Sequence, residues 1–102
     1  MDQSEVLNIV NRFVSAIKTK YDCKKIFLFG SYARQTNHEE SDIDIAIILP
    51  EYDNSMDVQL ELMRVRRKID SRIEPHPFRE SDFNASNPIA SEILKYGREI
   101  LI

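Results

Sequence analysis

The chain has 102 residues, which is enough for one small domain. Its formal net charge of −3 and its pI of about 5.4 argue against a broad basic surface, so nucleic acid is not an expected partner. The single cysteine, Cys23, excludes an internal disulfide and fits a reducing cytoplasm. The first residues do not resemble a signal peptide, and no apolar run approaches the ~20 residues that span a bilayer. We therefore expect a single cytoplasmic domain over residues 1–102, without membrane contact.

The first half of the chain predicts a helix, two strands and a short helix between them. Apolar residues at spacings of three and four predict an amphipathic helix over residues 4–20, capped by the serine at its start. The first strand covers residues 26–29 and is apolar throughout, which is typical of a central strand. A short helix is expected near residues 32–34, followed by a polar surface loop over residues 36–41. The second strand runs over residues 42–49 and ends at a proline.

The second half continues the alternation of helices and strands. Helical periodicity covers residues 57–68. A short third strand is expected at residues 72–74, and the two prolines that follow it favour an edge position. An asparagine N-cap, a proline and a later glycine predict a helix within residues 87–97, and residues 100–102 are expected to form a terminal strand. This order predicts a small α/β (α+β) fold with a mixed sheet.

Two polar motifs, each beside an apolar run, carry the chemistry. A Gly-Ser pair at residues 30–31 follows the first strand, and ten residues later Asp42 and Asp44 open the second strand. Side chains alternate along a strand, so both carboxylates are expected on one face, roughly 6.5 Å apart along the chain. Each motif alone is typical of an ordinary turn or of surface acids. Together they suit a nucleotide carrying magnesium, because glycine admits a phosphate and carboxylates bind hard cations.

The two motifs resemble a known signature. Residues 29–34 read FGSYAR and residues 41–45 read SDIDI, which closely resembles the Gly-Ser-x(10)-Asp-x-Asp signature of the polymerase-beta-like nucleotidyltransferase superfamily. The short length resembles its smallest members, the minimal nucleotidyltransferase (MNT) domains of antitoxin type. A weaker resemblance to the third acidic strand of that family covers residues 73–78. The resemblance implies a small mixed sheet with helices packed mainly on one face.

The resemblance also implies the roles of five residues. Asp42 and Asp44 would bind magnesium, with two ions expected, and Glu74 would complete the site as a metal ligand, as the base for the attacking hydroxyl, or as both. Gly30 and Ser31 would hold the triphosphate. Such enzymes move a nucleoside monophosphate, here expected to be AMP from ATP, to a hydroxyl of an acceptor and release pyrophosphate.

Some positions depart from the family pattern or have a simpler interpretation. Many relatives have a glycine where this chain has Gln35, and the third acid is Glu74 rather than an aspartate. Arg34 is assigned to phosphate binding, with a surface salt bridge as the alternative. The basic run at residues 64–68 fits either a nucleic-acid patch or cations at a helix C-terminus. His76 lies between two prolines and has no partner pattern that is typical of a ligand.

The resemblance implies a protein partner. Small members of the family are commonly encoded beside a HEPN-domain protein, and there they act as antitoxins, some by adding AMP to that partner. The alternatives are a non-catalytic subunit that neutralises its partner by contact and an enzyme that modifies RNA or an antibiotic. Large apolar residues near the C-terminal end predict a protein interface at about residues 87–102, in a homodimer or with a HEPN-like partner. The alternative is that they close the domain's own core. They are Phe78, Phe83, Ile89, Ile93, Leu94, Tyr96, Ile100, Leu101 and Ile102.

Overall fold

The computed structural model describes residues 2–38 and 41–102. In chain order the elements are α1 (Gln3–Ile17), β1 (Lys25–Phe29), α2 (Ser31–Arg34), β2 (Ile43–Leu49), α3 (Ser55–Arg67), β3 (Ile73–Arg79), a 3₁₀ turn (Glu80–Asp82), α4 (Pro88–Tyr96) and β4 (Arg98–Ile100). Glu39 and Glu40 of the predicted polar loop lie outside the described residues. No helix in the described ranges is long and apolar enough to cross a bilayer.

The four strands form one mixed sheet in the order β3-β2-β1-β4. β1 is antiparallel to both β2 and β4, whereas β2 and β3 are parallel. The apolar strands β1 and β2 are therefore central, and β3 is at an edge, as the sequence predicts. The predicted fold class is confirmed.

The two faces of the sheet bury different amounts of apolar surface. Ile43, Ile45 and Ile47 point to the larger face, where α1 and α3 pack and bury the main core. Ala46 and Ile48 point to the other face, where they meet Phe27 of β1 and Ile93 of α4. Because side chains alternate along β2, one strand supplies both cores. The helices thus lie mainly on one face, and the polar start of β2 stays at one end of the sheet.

The first helix begins earlier and ends earlier than the sequence predicts. Asp2, not Ser4, is its N-cap: an Asp2 carboxylate oxygen accepts from the Glu5 N–H at 2.9 Å. The Ser4 hydroxyl donates to the same carboxylate, so it does not cap the helix itself. At the other end α1 stops at Ile17, because the N–H groups of Lys20 and Tyr21 both turn back to the Ile17 carbonyl.

The third strand is longer than predicted, since it runs through both prolines to Arg79. Proline lacks an N–H, but an edge strand needs donors on one side only. The outer side of β3 is covered by α3: Gln59 donates to the Pro75 carbonyl at 3.2 Å, and Arg66 donates to the Ile73 carbonyl at 2.9 Å. The prediction that this strand ends at residue 74 is therefore wrong.

The remaining helices match the sequence pattern, but the terminal strand does not. The Asn87 side chain accepts from two N–H groups at the start of α4, and the helix ends before Gly97, as predicted. α3 begins at Ser55, two residues earlier than expected, because Asn54 caps it. β4 covers Arg98–Ile100 rather than residues 100–102, because its pairing with β1 ends at Ile100.

Candidate active site

The Gly30 turn lies directly against one of the predicted aspartates. Gly30 follows β1 with φ +73° and ψ −152°, and α2 begins at Ser31. A Cβ atom added to Gly30 would contact Asp44 Oδ2 and would lie 3.3 Å from Asp44 Cγ. Residue 30 therefore has to be glycine for two reasons: its φ is positive, and the Asp44 carboxylate occupies the space that a Cβ atom would need. The structure thus brings the predicted phosphate turn and the predicted carboxylate together.

The two predicted aspartates differ in their surroundings. Asp44 lies within β2 opposite Phe29 of β1, and 27% of its side chain is exposed. Its neighbours Ile43 and Ile45 are buried in the main core, so alternation directs Asp44 to the other face. Asp42 is exposed and precedes β2, which begins one residue later than predicted.

Glu74 is the register partner of Asp44 on the parallel strand β3. Register partners on neighbouring strands lie about 4.8 Å apart and face the same side, so Asp44 and Glu74 are side by side on one face at the start of β2 and β3. Glu74 Oε1 accepts from Arg66 Nη1 at 3.3 Å. Because the same guanidinium nitrogen donates to the Ser71 and Ile73 carbonyls, Arg66 ties Glu74 to the edge of the sheet.

His76 belongs to the site, although the sequence interpretation set it aside. Its Nε2 lies 3.1 Å from Asp44 Oδ1, and its ring packs edge-on against Phe29 with 4.9 Å between ring centroids. The signal was the alternation within β3: residues 74 and 76 share a face only if the strand continues through the prolines.

Arg34 packs against α4. Its guanidinium carbon lies 4.2 Å from the centre of the Tyr96 ring, and Nη1 lies 4.0 Å from Glu92 Oε1. This arrangement matches the surface salt bridge that was the alternative for Arg34. The phosphate contact stays a prediction.

The carboxylates are suited to a cation that is also held by a nucleotide. Among residues 2–38 and 41–102 the structure has no cluster of three or more acidic, histidine or cysteine side chains arranged to hold a metal ion. Magnesium, however, is usually bound through one or two carboxylates, several waters and substrate phosphates rather than by a protein cage. Asp44 beside the Gly30 turn, with the exposed Asp42 two residues before it, fits that kind of site.

A cavity of about 380 Å³ adjoins the site at His76. Tyr52 and Phe78 give it aromatic walls, and Arg79 lies over the Tyr52 ring at 4.5 Å while donating to the Tyr52 carbonyl at 2.8 Å. Burial raises the pKa of the Tyr52 phenol, so this hydroxyl is neutral at physiological pH. The cavity therefore combines aromatic walls with the charged side chains of Arg79 and Asp82, next to His76.

Comparison with known proteins identifies the family to which this chain belongs. The sequence profile described as "Polymerase beta, Nucleotidyltransferase" matches residues 11–102. The chain belongs to the polymerase beta nucleotidyltransferase family. It is therefore a nucleotidyltransferase, and the matched segment includes both polar motifs and the third acidic strand.

The relatives found by sequence come from Methanocaldococcus jannaschii and carry the provisional name protein adenylyltransferase. One of them, MJ1379, is 43% identical over 67 residues, which cover 65% of this chain and 67% of the relative. A second, MJ0604, is 58% identical over 41 residues, which span only 41% of its own length. A third, MJ0141, is 30% identical over 101 residues, which cover 94% of this chain and 99% of the relative.

Two of the solved structures with the same fold are described as toxin–antitoxin structures. A toxin–antitoxin crystal structure with AMP-PNP superposes with a TM-score of 0.68 at 24% identity, covering 87% of this chain and 69% of that chain. The toxin–antitoxin MntA-HepT structure gives a TM-score of 0.63 at 19% identity, covering 91% and 69%. At this identity the likeness establishes the fold.

Proposed function

We propose that this chain is a magnesium-dependent adenylyltransferase that transfers AMP from ATP to a hydroxyl group of an acceptor protein. The observation that carries the proposal is the contact between the Gly30 turn and the carboxylate of Asp44, with Glu74 in register beside it. A phosphate-sized turn, a cation ligand and a third carboxylate are thereby held together on one rigid sheet.

In this proposal the residues have separate roles. Gly30 and Ser31 receive the triphosphate, and Asp42 and Asp44 hold the magnesium ions. When bound, the metal neutralises the phosphate charge. The acceptor hydroxyl oxygen forms a bond to the α-phosphorus, the bond from that phosphorus to the bridging oxygen breaks, and pyrophosphate leaves with its electron pair. Glu74 takes the proton of the attacking hydroxyl.

The acceptor is proposed to be a HEPN-domain toxin, in the cytoplasm, with residues 1–102 acting as one catalytic domain. Two findings support this choice: relatives carry the provisional name protein adenylyltransferase, and structures of the same fold come from toxin–antitoxin pairs. The chain also exposes large apolar side chains on α4 and beyond it, and a protein partner would cover them; these are Ile89, Leu94, Tyr96, Leu101 and Ile102.

The same exposed apolar side chains would also serve a second candidate function, that of a non-catalytic antitoxin subunit that acts through complex formation. The two functions differ in whether a covalent bond forms. The acidic pair supports catalysis, whereas the apolar surface is equally useful in both cases.

Transfer of label from ATP separates the two functions. The protein is incubated with magnesium, a HEPN-domain protein as the candidate acceptor and ATP labelled at either the α- or the γ-phosphorus. Adenylyl transfer predicts covalent label on the HEPN protein from the α position only. Label from the γ position would instead indicate phosphoryl transfer. A stable complex without any covalent label would favour the non-catalytic subunit.

A further inference from the structure

His76 is placed to control the orientation of the Asp44 carboxylate. The two oxygens of Asp44 face different neighbours: Oδ1 lies 3.1 Å from His76 Nε2, and Oδ2 lies where a side chain at Gly30 would be. An ionised carboxylate has no proton to donate, so this contact is a hydrogen bond only when Nε2 carries the hydrogen. The carboxylate is thus held between an imidazole donor and the phosphate turn.

The imidazole is itself held in place. Its ring packs edge-on against Phe29 at 4.9 Å, with 65° between the ring planes, and Phe29 is the antiparallel register partner of Asp44. His76 also follows Glu74 by two residues, so the backbone of β3 sets the positions of both side chains on this face. The carboxylate of Asp44 therefore lies among neighbours from two strands: Phe29 and the Gly30 turn at the end of β1, and His76 of β3.

We propose that His76 is a positioning residue, which donates from Nε2 to Asp44 Oδ1 and thereby keeps Oδ2 directed at the cation and triphosphate beside Gly30. This inference rests on the proposed function, because it assigns Asp44 to the metal. Groups that orient a metal ligand typically contribute 10–100-fold to metal affinity or activity. In this proposal Nε2 of His76 donates its hydrogen to Asp44, so His76 acts through Asp44 rather than on the reacting atoms.

The test is metal binding, which needs no acceptor. Mn²⁺ replaces Mg²⁺ as the probe and is titrated, with a non-hydrolysable ATP analogue present, by the electron paramagnetic resonance of free Mn²⁺. His76→Leu removes the donor and keeps an apolar side chain against Phe29. His76→Gln offers an amide N–H in its place. Lys95→Leu makes the same kind of change on an exposed residue of α4.

We expect His76→Leu to weaken Mn²⁺ binding by about 10–100-fold. His76→Gln should recover most of that loss, and Lys95→Leu should match the parent. Thermal unfolding of the metal-free proteins shows whether His76→Leu remains folded, and a purely structural role would lower the midpoint without changing metal affinity. Unchanged affinity in His76→Leu overturns the positioning role alone. If the parent and Asp44→Asn both fail to bind Mn²⁺ with the nucleotide, the proposed function and the role of His76 fall together.

Discussion

The carboxylate of Asp44 occupies the space that a side chain at residue 30 would need: Oδ2 would touch a Cβ atom there, and Cγ would lie 3.3 Å from it. The proposed phosphate turn after β1 and the proposed cation ligand of β2 are therefore in direct contact. A change on either side moves both groups.

Gly30→Ala is expected to weaken nucleotide binding strongly, because it adds strain at φ +73° and pushes Asp44 away from the turn. The chain has a matched control in its other glycine. At Gly97 the φ is negative, and an added Cβ would meet the Ile93 carbonyl at 2.5 Å, away from the acids. Gly97→Ala should therefore lower stability and leave affinity unchanged. Calorimetry with a non-hydrolysable ATP analogue and magnesium measures both variants, and equal affinity in Gly30→Ala and the parent would remove the turn from the site.

Glu74→Gln should separate proton transfer from metal binding. If Glu74 takes the proton of the acceptor hydroxyl, label transfer falls by about 10²–10⁴-fold while nucleotide affinity is largely kept. Arg66 can still donate to the amide oxygen of the new side chain, so the edge of β3 should stay in place. A parallel loss of metal affinity would make Glu74 a ligand. Transfer at the parental rate would exclude it from the reaction.

Gln35→Gly should stabilise the protein. Gln35 ends α2 with φ 59° and ψ 34°, a left-handed conformation that costs a residue with a side chain roughly 1–2 kcal/mol. Glycine removes this strain but loses more chain entropy on folding, so the expected gain in unfolding free energy is about 0.5–1 kcal/mol. Gln35→Ala keeps the Cβ atom and should give no such gain. Urea unfolding measures all three proteins, and equal stability of the glycine and alanine variants would contradict the strain.

The Asp70–Arg72 pair predicts a pH-dependent contribution to stability. Hydrogen bonds from the Arg72 guanidinium, at 2.7 and 3.0 Å, lower the pKa of Asp70 below its ordinary value of 3.8. The folded state thus favours the ionised acid, so the stabilisation is fully present above the unfolded pKa and is lost as the pH falls through the folded pKa. Asp70→Asn should be less stable than the parent near pH 7. Urea unfolding at about pH 7 and about pH 3 gives the difference at each pH, and a difference that does not shrink in acid would contradict this origin.

The sequence was sufficient for the parts of the site that depend on local pattern. Apolar runs next to Gly30 and Asp44 predicted two buried strands, the first of them central, and alternation along β2 predicted which face carries Asp44. These features follow from the conformational limits of single residues, which are visible in one sequence.

The parts that depend on pairing between distant segments were missed. The two prolines predict an early end to β3, because a single sequence does not show which segment packs beside the strand. In the structure the outer edge of β3 faces α3, where Gln59 and Arg66 donate to the β3 carbonyls. Because the predicted strand ends at residue 74, the sequence interpretation assigns His76 neither a face of the sheet nor a partner. At the C-terminal end, Ile93 and Ile100 close the protein's own core, whereas Leu101 is 90% exposed. The exposed side chains keep the interface a prediction for residues 87–102.

We propose that the carboxylates of Asp42 and Asp44 make this protein a metal-dependent adenylyltransferase. The most direct measurement is the initial rate of label transfer from α-labelled ATP to the HEPN-domain partner, with magnesium, for the parent, Asp42→Asn and Asp44→Asn. Asp53→Asn is the matched control, since Asp53 is an exposed acid beyond the far end of β2. We predict that both site variants fall to the level without enzyme, remain folded and bind nucleotide more weakly, while Asp53→Asn matches the parent. Transfer at the parental rate by either site variant would contradict the claim.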